Sequence, residues 1–145
     1  MVKVPRLSFV VKASTSALLL VIVAQARADC LPYEPATVTL AGKLERKTFP
    51  GRPNYESVAK GDEAETGYYL VLRSGICTVA SSYSPEAEAK KNIRLIQIVL
   101  DKDGYTKLRP DLGRTVRLRG QLFAEHTGHH HAPLLLRFEG AENDR

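Results

Sequence analysis

No serine of these 145 residues sits in a G-x-S-x-G turn, no H-E-x-x-H run occurs, and the two cysteines do not have C-x-x-C spacing. Ser57, Ser81 and Ser82 therefore lack the strained elbow that presents a serine nucleophile. The helix-borne zinc site of a metalloprotease and the redox dithiol are missing as well. Low-complexity tracts and repeat arrays are also lacking. The one sustained apolar run, Ala13 to Ala24, ends after about 12 residues, short of the roughly 20 that a spanning helix needs.

That run has a different meaning. It follows Lys3, Arg6 and Lys12 with no acidic residue between them, and Ala26-Arg27-Ala28 comes just after it. A basic n-region, an apolar h-region and an Ala-x-Ala site, in that order, predict a signal peptide over residues 1–28 and a mature start at Asp29. Cys30 lies close behind, but Ala28-Asp29 is not the small-residue approach that lipid attachment requires. Cleavage takes away four basic residues and no acidic one, so 21 Lys and Arg against 16 Asp and Glu become 17 against 16. The basic excess belongs to the targeting segment, and the mature chain has no polyanion bias that would predict a nucleic-acid partner. The expected product is periplasmic or secreted, without a membrane span after cleavage. Its length suits one domain over residues 29–145.

Export places Cys30 and Cys77 where disulfides form and persist, so a structural bridge between them is the expected pairing. Closing a loop of about 48 residues restricts the unfolded chain by roughly 4 kcal/mol in the loop-entropy model. Such a bridge would pin the mature N-terminus to the body of the fold.

Residues 37–47 alternate, with Val38, Leu40 and Leu44 on one face and Thr37, Thr39, Lys43 and Glu45 on the other. The same Val-x-Leu-x-Gly-x-Leu framework returns as Val116, Leu118, Gly120 and Leu122. Period two means half-buried strands, and a glycine inside each marks a bulge or the corner of a small barrel. Further strands are predicted at Tyr68–Arg73, Ile76–Ala80, Ile93–Leu100 and Leu134–Phe138, with a Ser74-Gly75 turn between the first two. Gln97, on the Ile93 face of an otherwise apolar strand, must find hydrogen-bond partners. Ser84 to Lys91 has a capping Ser, Pro at the first helical position, early acids and late lysines, and reads as one short helix. A helical turn is read around Tyr105 to Leu112, and Glu139 to Arg145 as a frayed polar tail. The expected fold is mainly β, a small OB-like Greek-key barrel with one short helix, with a β-sandwich as the alternative.

Two segments could carry function. Pro50 to Gly67 is long and irregular, and offers Arg52, Asn54, Tyr55, Glu56 and Asp62 as contact residues. Glu125 to His131 holds all four histidines of the chain. Imidazole suits zinc, copper and nickel. If residues 129–131 begin a strand, His129 and His131 point the same way, and His126 could approach across the turn to complete a metal site. Glu125 and His130 are the further contact candidates here, and Glu125 could serve as a base on metal-bound water. The plainer alternatives are a solvated loop whose Tyr55 seals the core, and a turn whose ring nitrogens bond neighbouring carbonyls.

Gly42-Lys-Leu44, Thr48-Phe-Pro-Gly-Arg-Pro-Asn-Tyr-Glu-Ser57, Gly61-Asp62, Ile96-Gln97 and the run from Gly120 through Thr127-Gly-His-His130 to Leu135 together resemble the small exported bacterial proteins grouped as domain of unknown function 4431. The resemblance runs from about Val38 to Leu136. It implies export and a shared fold, and assigns no activity. Ala132 stands where many relatives carry Thr, which implies that a hydroxyl beside the histidines is missing here. The function that demands least of these residues is a non-enzymatic binding module of the envelope, its partner a protein, glycan or small ligand. The alternatives are a periplasmic metal-binding protein using His126, His129 and His131, and, less supported, an envelope metal-dependent hydrolase.

Overall fold

The computed structural model describes residues 29–142, so the signal peptide expected over residues 1–28 lies outside the described residues. The alternation after Thr37 becomes the longest strand, β1 (Thr37–Pro50), with Val38, Leu40 and Leu44 buried. β1 serves two neighbours. Thr37–Lys43 pairs antiparallel with β4 (Thr115–Ala124), and Lys43–Pro50 pairs antiparallel with β2 (Ala64–Ile76). Gly42 lies where β1 changes partner, and a Cβ there would come within 2.7 Å of the Val71 carbonyl oxygen. Gly120 holds the matching place in β4. It sits at the register shift between β4 and β5 (Leu134–Glu142), where a Cβ would overlap the Arg137 carbonyl. Both glycines therefore mark corners, as their position in the alternation implied.

β3 (Ile93–Val99) pairs antiparallel with β2 and parallel with β5, which closes the barrel in the order β1-β2-β3-β5-β4. The crossover from β3 to β4 carries the short helix α1 (Lys102–Leu108), capped by Asp101, whose side chain accepts from the Gly104 N–H at 2.7 Å. This is the mainly β, OB-like closed barrel with one short helix, and a two-sheet sandwich is excluded by the closure. Its interior is filled by Leu44, Leu70, Ile96, Leu118, Leu122, Leu134 and Leu136, each fully buried, and Leu108 of α1 joins the same core. Tyr105 of α1 meets Tyr68 edge to face at 4.9 Å.

Four local expectations are corrected. Residues 84–91 form no helix. Their carbonyls are drawn sideways instead: the Ser81 N–H donates to Ala87 O, the Thr78 N–H to Lys90 O, and the Tyr33 hydroxyl to Glu88 O. A segment this short cannot sustain a helix against such partners. Ser74-Gly75 does not end a strand, because β2 runs through it with a register shift between Val71 and Ile76. Residues 77–80 add only a single bridge, Leu31 to Thr78, so the barrel has five strands where about six were expected. Residues 139–142 are not frayed. They continue β5, where Glu139 accepts from the Thr37 hydroxyl at 3.2 Å and Glu142 pairs with Arg117 at 3.3 Å.

Cys30 and Cys77 form the expected disulfide. The Leu31 N–H donates to Cys77 O and the Val79 N–H to Leu31 O, so the start of the described chain is stitched to the segment after β2. Among the described residues no helix is long and apolar enough to cross a membrane.

Candidate functional site

The β1–β2 loop (residues 51–63) is built around one carboxylate. Asp62 is buried, and it accepts from the backbone N–H groups of Asn54, Glu56 and Ser57 at 2.8–2.9 Å and from the Asn54 side chain at 3.1 Å. The Ser57 N–H, then those of Asn54 and Glu56, hold its carboxyl below the usual range. The Gly51 N–H donates to Glu63 O, and the Glu63 N–H to Arg52 O, which closes the base of the loop. Asp62 and Asn54, expected as contact residues, are thus spent on the loop itself. Arg52 lies 4.0 Å from Glu63 and is exposed, as is Glu56. Tyr55 leaves the network at a positive φ of 59° and carries its ring outward.

The ring meets the β4–β5 loop (residues 125–133). A Cβ on Gly128 would lie 2.7 Å from the Tyr55 ring, which packs directly on the glycine, and Tyr55 faces His129 edge-on at 6.0 Å. The two loops that the sequence marks out therefore lie at the same end of the barrel and touch.

The histidines divide into two pairs. His129 Nδ1 bonds Glu65 Oε1 at 2.6 Å, and His131 Nε2 bonds Glu65 Oε2 at 2.7 Å. Glu65 lies on β2, and burial pushes its carboxyl up, but the bonds from His131 and His129 outweigh this and leave it below its ordinary value. The His131 ring stacks on Phe49 at 5.0 Å, near-parallel to it. Gln97 supplies the second anchor: its amide N–H donates to His129 O at 3.1 Å, and its oxygen accepts from the His131 N–H at 2.7 Å. This satisfies an amide that strand periodicity singled out. Tyr69 is 1% exposed, and burial pushes its hydroxyl up to about 12.

His126 and His130 form the other pair, on the Phe123 side of the loop. The His126 backbone N–H donates to His130 Nδ1 at 3.1 Å, and the rings meet edge to face at 4.5 Å. Burial and the neighbouring His126 lower the His130 pKa below its ordinary value. His129 and His131 do point the same way, as two residues apart in an extended segment should. His126 does not join them, because it pairs with His130. Among the described residues no group of three or more His, Cys, Asp or Glu side chains is arranged to hold a metal ion, so the expected His126, His129 and His131 set for zinc, copper or nickel is not assembled. Glu125 is paired with Lys90 at 3.2 Å.

Glu65 and Phe49 are the residues that sequence reading missed. Glu65 was assigned to the irregular segment, whereas β2 already begins at Ala64 and its outward face carries the carboxylate. The Glu63-Ala-Glu65-Thr alternation was the available signal.

The family model for a domain of unknown function (DUF4431) matches residues 95–139, from within β3 through the β4–β5 loop into β5. This supports the resemblance over that stretch, which contains Gln97 and all four histidines; residues 38–94 lie outside the match. No curated protein and no solved structure matches the chain.

Proposed function

We propose that this protein, whose residues 95–139 match that domain, is a non-enzymatic binding module of the bacterial envelope, exported by its leader and contacting its partner through the joined rim of the β1–β2 and β4–β5 loops. The observation that carries this reading is the contact of Tyr55 with Gly128 and His129, which joins the two loops into one surface. OB barrels bind with the face of their second and third strands and with these two loops, and here that face supplies Glu65 and Gln97 as anchors. The analogy supports a location and names no ligand. A rim held by strand residues is pre-organised, so little ordering has to be overcome on binding. Export is supported by the basic, apolar and Ala-x-Ala order of residues 1–28 and by the Cys30–Cys77 disulfide, which suits an oxidising compartment. The hydrolase alternative needs Glu125 as a free base, and its pairing with Lys90 at 3.2 Å gives that reading less support than the binding module.

The test is a pull-down of envelope proteins and peptidoglycan fragments with protein recovered from the periplasm, beside a Tyr55→Ala, His129→Ala double variant. Retention of a component by the parent and its loss in the variant is the expected result. Retention indifferent to both substitutions would move the binding surface elsewhere, and no retained component would remove the reading.

A further inference from the structure

A concavity lies on the Phe123 flank of the β4–β5 loop and includes none of the residues by which that loop touches the β1–β2 loop. It measures about 250 Å³, and its apolar floor is made by Tyr33, Ala87 and Ala124. Phe123 forms one wall. Tyr83 stands at the mouth and is 81% exposed, the most exposed large apolar side chain among the described residues. An exposed aromatic ring beside a cavity offers an apolar face on which a ligand can pack.

The polar lining narrows the ligand. Arg137 lies over the Phe123 ring at 5.1 Å and pairs with Glu34 at 2.7 Å. Because Arg137 already holds the cation–π position over this ring, an incoming ammonium gains little there. Glu86, whose carboxyl is held below its ordinary value chiefly by the Ser84 hydroxyl, brings a second negative charge. With Glu34, Glu86 and a single guanidinium, the lining is net negative and disfavours phosphates, sulfates and uronates. The remaining groups suit hydroxyls: two carboxylates and the ring of His126 accept, Arg137 and Ser81 donate, and the Ser84 hydroxyl, whose proton goes to Glu86, is left to accept. His126 Nδ1 bonds the Ala124 carbonyl at 3.2 Å. A carbonyl only accepts, so Nδ1 carries the proton and Nε2 is left as an acceptor.

From an exposed aromatic platform, an apolar floor and an anion-excluding rim of hydrogen-bonding groups, we infer that this concavity is a binding site for one neutral pyranose ring. The C–H face of such a ring packs on Tyr83 and the floor, and its equatorial hydroxyls meet Glu34, Glu86 and Arg137. The cavity is slightly smaller than the roughly 300 Å³ at which drug-sized pockets begin, which suits a single ring and not an extended chain. It shares His126 with the β4–β5 loop but uses none of Tyr55, His129 and Glu65, so it can be tested apart from the rim reading.

The experiment uses the full exported protein, isotopically labelled, and neutral hexoses and N-acetylhexosamines as probes, with glucuronate and glucose 6-phosphate as charged counterparts. Saturation-transfer and amide-shift measurements should show at least one neutral sugar perturbing residues 81–87 and Phe123, with the charged sugars weaker. Tyr83→Ala, at a position too exposed to upset folding, should weaken that sugar by about five- to tenfold, the worth of one aromatic contact. Tyr55→Ala should leave it unchanged, so failure of the rim reading and failure of this one are told apart. Silence of every neutral sugar into the millimolar range, equal binding of the uronate, or indifference to Tyr83→Ala would each overturn the inference.

Discussion

The β1–β2 and β4–β5 loops meet at one end of the barrel, yet they are held by opposite means. In the first, every bond to Asp62 comes from a residue five to eight positions away, so the loop closes on itself. In the second, the anchors are Glu65, 64 and 66 positions from the histidines it holds, and Gln97, 32 and 34 positions away. A loop organised locally keeps its shape when its surroundings change. A loop docked on strand side chains keeps its shape only while those side chains and their charges persist.

The largest expected break in this contrast is Asp62→Ala. It removes the acceptor of three backbone amides at once, and exchange at Asn54, Glu56 and Ser57 should rise by more than about tenfold. The His131 amide, bonded to Gln97, should stay protected. Glu65→Gln reverses the pattern. It leaves the first loop protected and loosens the second, at a cost of about 1–2 kcal/mol in the denaturant midpoint stability, because an amide cannot accept from both imidazoles. Gln97→Ala should have the same sense at about 1 kcal/mol, with the His129 carbonyl and His131 N–H turned to water.

Acidification is the gentlest probe and separates the two halves of the β4–β5 loop. His130 has a lowered pKa in the folded state, so the unfolded chain binds its proton more readily and the stability this group contributes falls as pH drops below about 6.5. Protonation also removes the Nδ1 lone pair that accepts from the His126 N–H. Glu65 has a depressed carboxyl, so its contribution is kept above pH 4.5 and lost only as pH falls through the lowered value. Imidazole and carboxyl shifts followed by NMR from neutral pH downwards should therefore report the His126–His130 contact opening first and the Glu65 anchor later. Simultaneous loss would mean that the two halves are one cooperative unit.

Much of the barrel was legible because period two is a local property. Val38, Leu40 and Leu44, and again Leu118 and Leu122, face inward as their alternation demands, and the glycines between them sit at corners. The failures share one cause. Residues 84–91 carry good helix signals, yet Tyr33, Thr78 and Ser81 take up their carbonyls, and no pattern within eight residues could reveal those partners. Residues 139–142 look like a polar tail because their apolar content is low, and they are strand because β4 and the Thr37 hydroxyl supply bonds from across the barrel. The candidate site was half legible. The clustering of histidines flagged the loop, and Gln97 stood out against an apolar strand, but Glu65 looked like one loop acid among several.

The sequence by itself determined the strand periodicity, the corners, the pairing of the only two cysteines and the two loops worth attention, since each rests on neighbours in the chain or on counting. Tertiary structure alone decided that the loops touch, that the four histidines divide two and two, and that Glu65 and Gln97 hold one of the loops. Those outcomes depend on which strand face a side chain occupies and on which distant strand lies beside it, and barrel closure fixes both.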